Sequence, residues 1–172
     1  MVQIETERLT LSTWDDADLE RFRPIATDPR VMRFITGGEP WPDQRIALFI
    51  RRNQEIFQEH GFCRWKLEEK STGRLVGFCG PGFLAGLPDP EIGWWLAVDR
   101  WGLGLATEAA RAAFHHATNC RRVERLISIA HPDNGPSIRV MQKLGLRYQK
   151  SMEYNGQPVV VYNWESAPTP TP

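Results

Sequence analysis

The sequence predicts one α/β (α+β) domain built on a mixed, mostly antiparallel central sheet. Three observations carry that expectation. Segments with period-2 alternation and segments with helical spacing follow one another in the order strands, helix, strand, helix, strands, so neither type forms a block of its own. Two strand pairs are joined by links of turn length, "KSTG" at 70–73 and Asn155-Gly156, as hairpins require. The chain has 172 residues and 41% hydrophobic content, enough for one well-buried core and short for two.

The elements follow in order. "ERLTLSTW" alternates Leu9 and Leu11 with polar neighbours and reads as a first strand, after which Asp15-Asp16 opens a short helix through Phe22. A second helix starts after Pro42 and runs to about Gln58, its apolar stripe made of Ile46, Phe49, Ile50, Ile56 and Phe57. "FCRWKLEE" and "RLVGFCGPGFL" flank the 70–73 turn as a hairpin, and "EIGWWLAV" supplies a further strand. A glycine-led helix runs from Leu105 to about Asn119, "RLISIA" is a strand, and a second helix spans Ser137 to Leu144 between Pro136 and Gly145. "LRYQKSMEY" and "PVVVYNW" close the chain, leaving "SAPTPTP" (166–172) as a frayed tail behind a domain of residues 1–165. No internal repeat is visible.

Charge and cysteine usage exclude several classes. Lys+Arg and Asp+Glu stand at 21 each, so no global field favours nucleic acid, and a charged ligand must be met locally. No segment approaches the roughly 20 apolar residues that span a bilayer, and the N-terminus lacks a signal-peptide core, so a cytoplasmic protein with no membrane partner is expected. Cys63, Cys79 and Cys120 have neither CxxC spacing nor an even count; they read as core thiols, with no disulfide and no metal.

Two stretches carry chemistry. "RWGLGLATEAA" (100–110) puts Gly102 and Gly104 at the start of a helix, although glycine weakens a helix interior by about 1 kcal/mol relative to alanine. Either they make a tight turn, or they clear the unpaired N–H groups of the first helical turn for a phosphate. The loop is neither GxxxxGK[ST] nor a full GxGxxG with an acid ending the next strand, since Glu124 precedes that strand. The second stretch is "AHPDNGPSIRVMQKLGL" (130–146). Asn134 caps, Pro136 starts and Gly145 stops a helix, while Ser137 shares the inward stripe of Val140, Met141 and Leu144; its hydroxyl either bonds a nearby carbonyl or acts in catalysis. His131 is either a cap or a wall of a site, His115-His116 read as helix surface, and Trp94 and Trp95 as core and pocket wall.

"EIGWWLAVDRWGLGLATEA" followed by "HPDNGPSIRVMQKLGL" closely resembles the GNAT superfamily of acetyl-CoA-dependent N-acyltransferases, and within it the Rim-type branch that includes ribosomal-protein N-terminal acetyltransferases. The resemblance extends from "TERLTL" to the last strand. It implies a sheet with a strand splay, helices on both faces, and acetyl-CoA as co-substrate without a metal. The loop of Trp101, Gly102, Leu103, Gly104, Leu105, Ala106 and Thr107 would wrap the diphosphate of coenzyme A. The main chain of Leu96, Ala97 and Val98 would pair with the pantetheine arm like an added strand, with an N–H near Ala97 or Val98 for the oxyanion, and Asn134 would bond the same arm.

Many members of the superfamily carry a tyrosine general acid where this chain has Met141. Ser137, which is also placed among the cofactor-binding residues, is then the candidate acid and Tyr148 the fallback. Glu91 is the candidate base, acting directly or through water; read from the residues alone it is equally a solvated strand-end acid. The resemblance implies direct transfer to a primary amine, favoured as the α-amine of a peptide terminus or amino acid. A small-molecule amine (polyamine, aminoglycoside) and a non-catalytic acyl-CoA-binding module stay open, as do monomer and homodimer. The acceptor would be chosen by Trp41 to Glu59 and by "FLAGLPDP".

Overall fold

The structure is a computed structural model that describes residues 3–166. Its elements are β1 Gln3–Glu5, β2 Leu9–Ser12, α1 Asp18–Ala26, α2 Pro29–Met32, α3 Asp43–His60, β3 Trp65–Glu69, β4 Leu75–Gly82, β5 Glu91–Leu96, α4 Leu105–His115, β6 Arg125–Ala130, α5 Gly135–Lys143, β7 Arg147–Tyr154 and β8 Gln157–Glu165. One eight-stranded sheet runs in the order β1-β2-β3-β4-β5-β6-β8-β7. Every neighbouring pair is antiparallel except β5 and β6, so the mixed, mostly antiparallel sheet is as expected.

Helices cover both faces. On one side α4 lays Leu105, Ala109, Ala110 and Ala113 against Trp65, Leu67 and Ile92, with Val140 and Met141 of α5 beside them. The three alanines let the helix axis approach the sheet closely while still excluding water. On the other side Phe22 and Ile25 of α1, Met32 of α2, and Ile46 and Ile50 of α3 enclose Phe78 with Trp41 and Trp95. No helix among the described residues is long and apolar enough to cross a membrane.

Chemically marked ends fall where the sequence puts them. The N–H of Leu146 donates to Met141 O at 3.1 Å and that of Gly145 to Gln142 O at 3.0 Å, closing α5 with Gly145 at φ +83°. Asn155 and Gly156 both take positive φ in the β7–β8 turn, the twist that a two-residue hairpin needs.

Several expectations are corrected. The first helix starts at Asp18, not Asp15, because the Asp15 carboxylate accepts Ala17 N–H at 3.0 Å and holds residues 15–17 as a turn. It also continues past Phe22 to Ala26. Strand β1 and the single turn α2 were not foreseen. Helix α4 ends at His115 and the chain continues as a π-turn, His116–Cys120. His116 is not free surface: its Nε2 lies 3.0 Å from Gly61 O and its ring meets Trp65 edge-on. Cys120 is exposed, unlike the buried Cys63 and Cys79. Ser166, the first residue of the expected tail, donates its N–H to Glu124 O at 2.8 Å; the rest of that segment, 167–172, lies outside the described residues.

Candidate functional site

Strands β5 and β6 run parallel yet pair at one position, Glu91 with Ile127, where Ile127 N–H donates to Pro90 O at 3.0 Å. Next to it the buried Ser128 hydroxyl donates to Ile92 O at 2.8 Å, so a side chain replaces the backbone ladder. Past this point the strands separate toward Leu96 and Ala130, which is the splay that the sequence resemblance implies.

Backbone groups of alternate residues point to the same side of a strand. Ala97 N–H donates to Val76 O at 2.8 Å, so Gly93, Trp95 and Ala97 face β4 and Ile92, Trp94 and Leu96 face the gap. The Leu96 carbonyl is already held by the Trp101 indole N–H at 2.9 Å. Val98 begins a 3-10 turn through Arg100. The main chain of Leu96 to Val98 is therefore not a free edge, against expectation; the edge left for an extended ligand is that of Trp94 and the Leu96 N–H. The Ala97 N–H is likewise taken, and of the two expected oxyanion donors Val98 remains, because the first N–H of a helical turn has no acceptor within it.

The glycine loop follows that turn. Gly102 and Gly104 have φ of +74° and +79°, a region other L-residues enter at a cost of about 1–2 kcal/mol. A Cβ on Gly102 would meet nothing within 4 Å, and one on Gly104 only Arg8 Nη2, at 3.6 Å. The first helical bond of α4 runs from Glu108 N–H to Gly104 O at 3.1 Å, so the N–H groups of Leu105, Ala106 and Thr107 have no partner in the helix. Trp101, Gly102, Leu103 and Gly104 are all exposed. An uncluttered, positively polarised helix end of this kind is a general seat for anions.

Glu91 is not a solvated strand-end acid. It is 4% exposed, and its carboxylate accepts a hydrogen bond from Arg64 Nη2 across β4. Glycines make room for that pair: a Cβ on Gly82 would lie 3.1 Å from Arg64 Nε, and one on Gly93 3.1 Å from Glu91 Oε2. Burial pushes the Glu91 carboxyl up from the ordinary carboxylate range, and the neighbouring Arg64 guanidinium pulls the other way without cancelling it. Glu91 therefore sits at the closed end of the gap with a proton affinity above that of a surface acid.

Across the gap, Asn134 caps α5, its Oδ1 accepting Ser137 N–H at 3.3 Å. The cap uses the oxygen and leaves the amide Nδ2 as a donor. The Ser137 hydroxyl is half-buried and makes no hydrogen bond among the described residues, so the carbonyl-bonded alternative is absent. Met141 is 1% exposed within the core and offers no proton. Tyr148 stands apart: 57% exposed on the sheet's edge strand, it meets Ser151 Oγ at 3.0 Å and Tyr162 edge-on. His131 does not cap α5, whose N-cap is Asn134: its Nδ1 accepts Asp133 N–H at 3.2 Å ahead of the helix, and its ring stacks on Phe34, 5.1 Å between centroids.

Cys79 borders the site, since it lies opposite Trp94 and feels the Glu91 charge. Burial pushes its thiol, and that of Cys63, far above the ordinary value, so neither is a nucleophile near neutral pH. No group of side chains able to hold a metal ion occurs among the described residues. Arg64, Ser128 and Phe34 were missed by sequence reasoning, because each acts through a partner on a distant segment.

Comparison with known proteins agrees with this geometry. A family model described as an acetyltransferase (GNAT) domain matches residues 8–147. An uncharacterized Bacillus subtilis protein, YkkB, is 32% identical over 167 residues, covering 95% of this chain and 96% of the relative. A Bacillus subtilis protein named as an uncharacterized N-acetyltransferase, YnaD, is 27% identical over 146 residues, covering 85% of this chain and 83% of the relative. Among solved structures, the ribosomal L7/L12 alpha-N-protein acetyltransferase RimL in complex with coenzyme A superposes with a TM-score of 0.80 at 17% identity, covering 96% of this chain and 98% of that one.

Proposed function

Because the chain belongs to the GNAT acetyltransferase family and is an N-acetyltransferase, we propose that it passes the acetyl group of acetyl-CoA directly to an α-amine, of a peptide terminus or a free amino acid. The observation that carries this reading is the parting of β5 from β6 after Glu91, with the unpaired N–H groups of Leu105 to Thr107 beyond the open end of the gap. The loop 101–107 holds the diphosphate, Trp94 and Leu96 N–H line the pantetheine arm, and Asn134 Nδ2 donates to one of its carbonyls.

In this reading the acceptor amine reaches the thioester carbonyl beside Glu91, which takes the amine proton directly or through a water. As the N–C bond forms, charge moves to the carbonyl oxygen, where the Val98 N–H donates; as the C–S bond breaks, Ser137 relays a proton to the leaving thiolate and is reprotonated from water, while Glu91 returns the amine proton to solvent. An α-amine with an ordinary pKa near 8 costs about 1 kcal/mol to deprotonate at pH 7, a lysine about 4.6. A single buried carboxylate suits the easier amine. The RimL neighbour, which is named as an alpha-N-protein acetyltransferase, supports the same choice.

The test is release of free coenzyme A thiol with a panel of peptides, amino acids, polyamines and aminoglycosides. The reading expects release with free α-amines and loss of it when the same peptides are N-terminally blocked. Release with polyamines or aminoglycosides alone replaces the proposed acceptor by a small-molecule amine, and no release with any amine contradicts transfer altogether.

A further inference from the structure

The turn between β1 and β2 reaches across 100 residues of sequence to the first turn of α4. Arg8 Nε donates to Glu108 Oε2 at 2.7 Å and Arg8 Nη2 lies 2.6 Å from the same oxygen. Glu108 Oε1 accepts the Arg8 backbone N–H at 2.8 Å and the Thr6 hydroxyl at 2.6 Å. The remaining arm of the guanidinium, Nη1, donates to Leu103 O at 2.9 Å, between the two left-handed glycines. One side chain thus ties the glycine loop and the helix that it opens to a single point on the sheet.

Two consequences follow from elementary electrostatics. Gly102 and Gly104 give the loop conformational freedom, and a loop with freedom loses entropy when it closes on an anion; a bond to the Leu103 carbonyl removes part of that freedom in advance. A bare carboxylate in the first turn of α4 would also repel a phosphate at the same helix end. Engaging Glu108 with four donors offsets that charge.

We propose that Arg8 is a positioning residue for the coenzyme A diphosphate: with Glu108 it fixes the Leu103 carbonyl and the loop so that the N–H groups of Leu105 to Thr107 stay open to the anion. The proposal rests on the reading of loop 101–107 as the diphosphate site. Its partners are a surface-exposed guanidinium and a first-turn carboxylate, so the device can be removed without touching the core.

Titration calorimetry with acetyl-CoA and with S-acetylpantetheine, which lacks the diphosphate, tests it. The wild-type protein binds acetyl-CoA far more tightly than acetylpantetheine. Arg8→Ala weakens acetyl-CoA binding about tenfold and leaves acetylpantetheine binding within about twofold, as expected for loss of one charge-assisted tether. Glu108→Gln supplies the sign test: it weakens acetyl-CoA binding if the clamp governs the loop, whereas removal of a negative charge alone would tighten it. Unchanged or tighter acetyl-CoA binding in these variants, or an equal loss for both ligands, overturns the clamp. A wild-type protein that does not distinguish the two ligands overturns the loop reading itself, and the clamp with it.

Discussion

Arg64, itself partly buried, and the buried Glu91 form an ion pair across β4, at the point where β5 and β6 cease to pair. Breaking such a pair by removing one member strands a charge in a low-dielectric site, which costs about 3–5 kcal/mol, whereas removing both costs less. Arg64→Met should therefore lower stability in urea far more than the double variant Arg64→Met/Glu91→Leu. Equal losses for the single and double variants would show that the pair is solvated and carries no such strain.

The same pair sets a pH dependence. A base must be deprotonated to act, and burial raises the Glu91 carboxyl, so activity should fall as pH drops through a value above the ordinary carboxylate range. The stability effect has the opposite sign: a carboxyl whose folded pKa is raised favours the folded state below that pKa and loses this contribution as pH rises through it. With one acceptor held constant, Glu91→Gln should lack the acidic limb expected in the wild-type kcat profile. A limb of unchanged position and size in Glu91→Gln would assign the titration to another group.

Ser137 and Asn134 separate chemistry from binding. Ser137→Ala should lower kcat by roughly 10²-fold with little change in acetyl-CoA affinity, the usual range for a lost general acid. Because its hydroxyl makes no hydrogen bond among the described residues, the substitution should leave the melting temperature nearly unchanged. Asn134→Ala loses a helix cap worth about 1 kcal/mol as well as the pantetheine donor, so both stability and affinity should fall. Near-normal kcat in Ser137→Ala would pass the acid role to water.

Gly104→Val should weaken acetyl-CoA binding by at least about tenfold, or about 1.4 kcal/mol, because the side chain occupies the space in front of the loop N–H groups. A φ of +79° makes valine strained there, so a lower melting temperature is expected as well. Unchanged affinity by calorimetry removes the loop from the site.

What the sequence shows and what it hides divide along a physical line. Strand β6 and helix α5 were legible because their ends are written in local chemistry: β-branched residues in the strand, an asparagine cap, and a glycine at positive φ. Strand β1 and helix α2 span three and four residues, too short for a period to register. The loop was legible from its glycines, but its tie to Arg8 was not, since no local pattern links residues 100 positions apart. Glu91 was found by its place at a strand's start. Its burial was not, because that depends on Arg64 reaching past the glycines of β4 and β5. That the main chain of Leu96 to Val98 is not a free edge was hidden for a similar reason: the Trp101 indole folds back onto Leu96 O.

The most direct measurement of the central claim uses one peptide that carries both a free α-amine and a lysine, incubated with acetyl-CoA and sequenced by fragment mass spectrometry. The account predicts an acetyl group on the α-amine with matching release of coenzyme A thiol. Acetylation confined to the lysine side chain, with the α-amine left free, would contradict it.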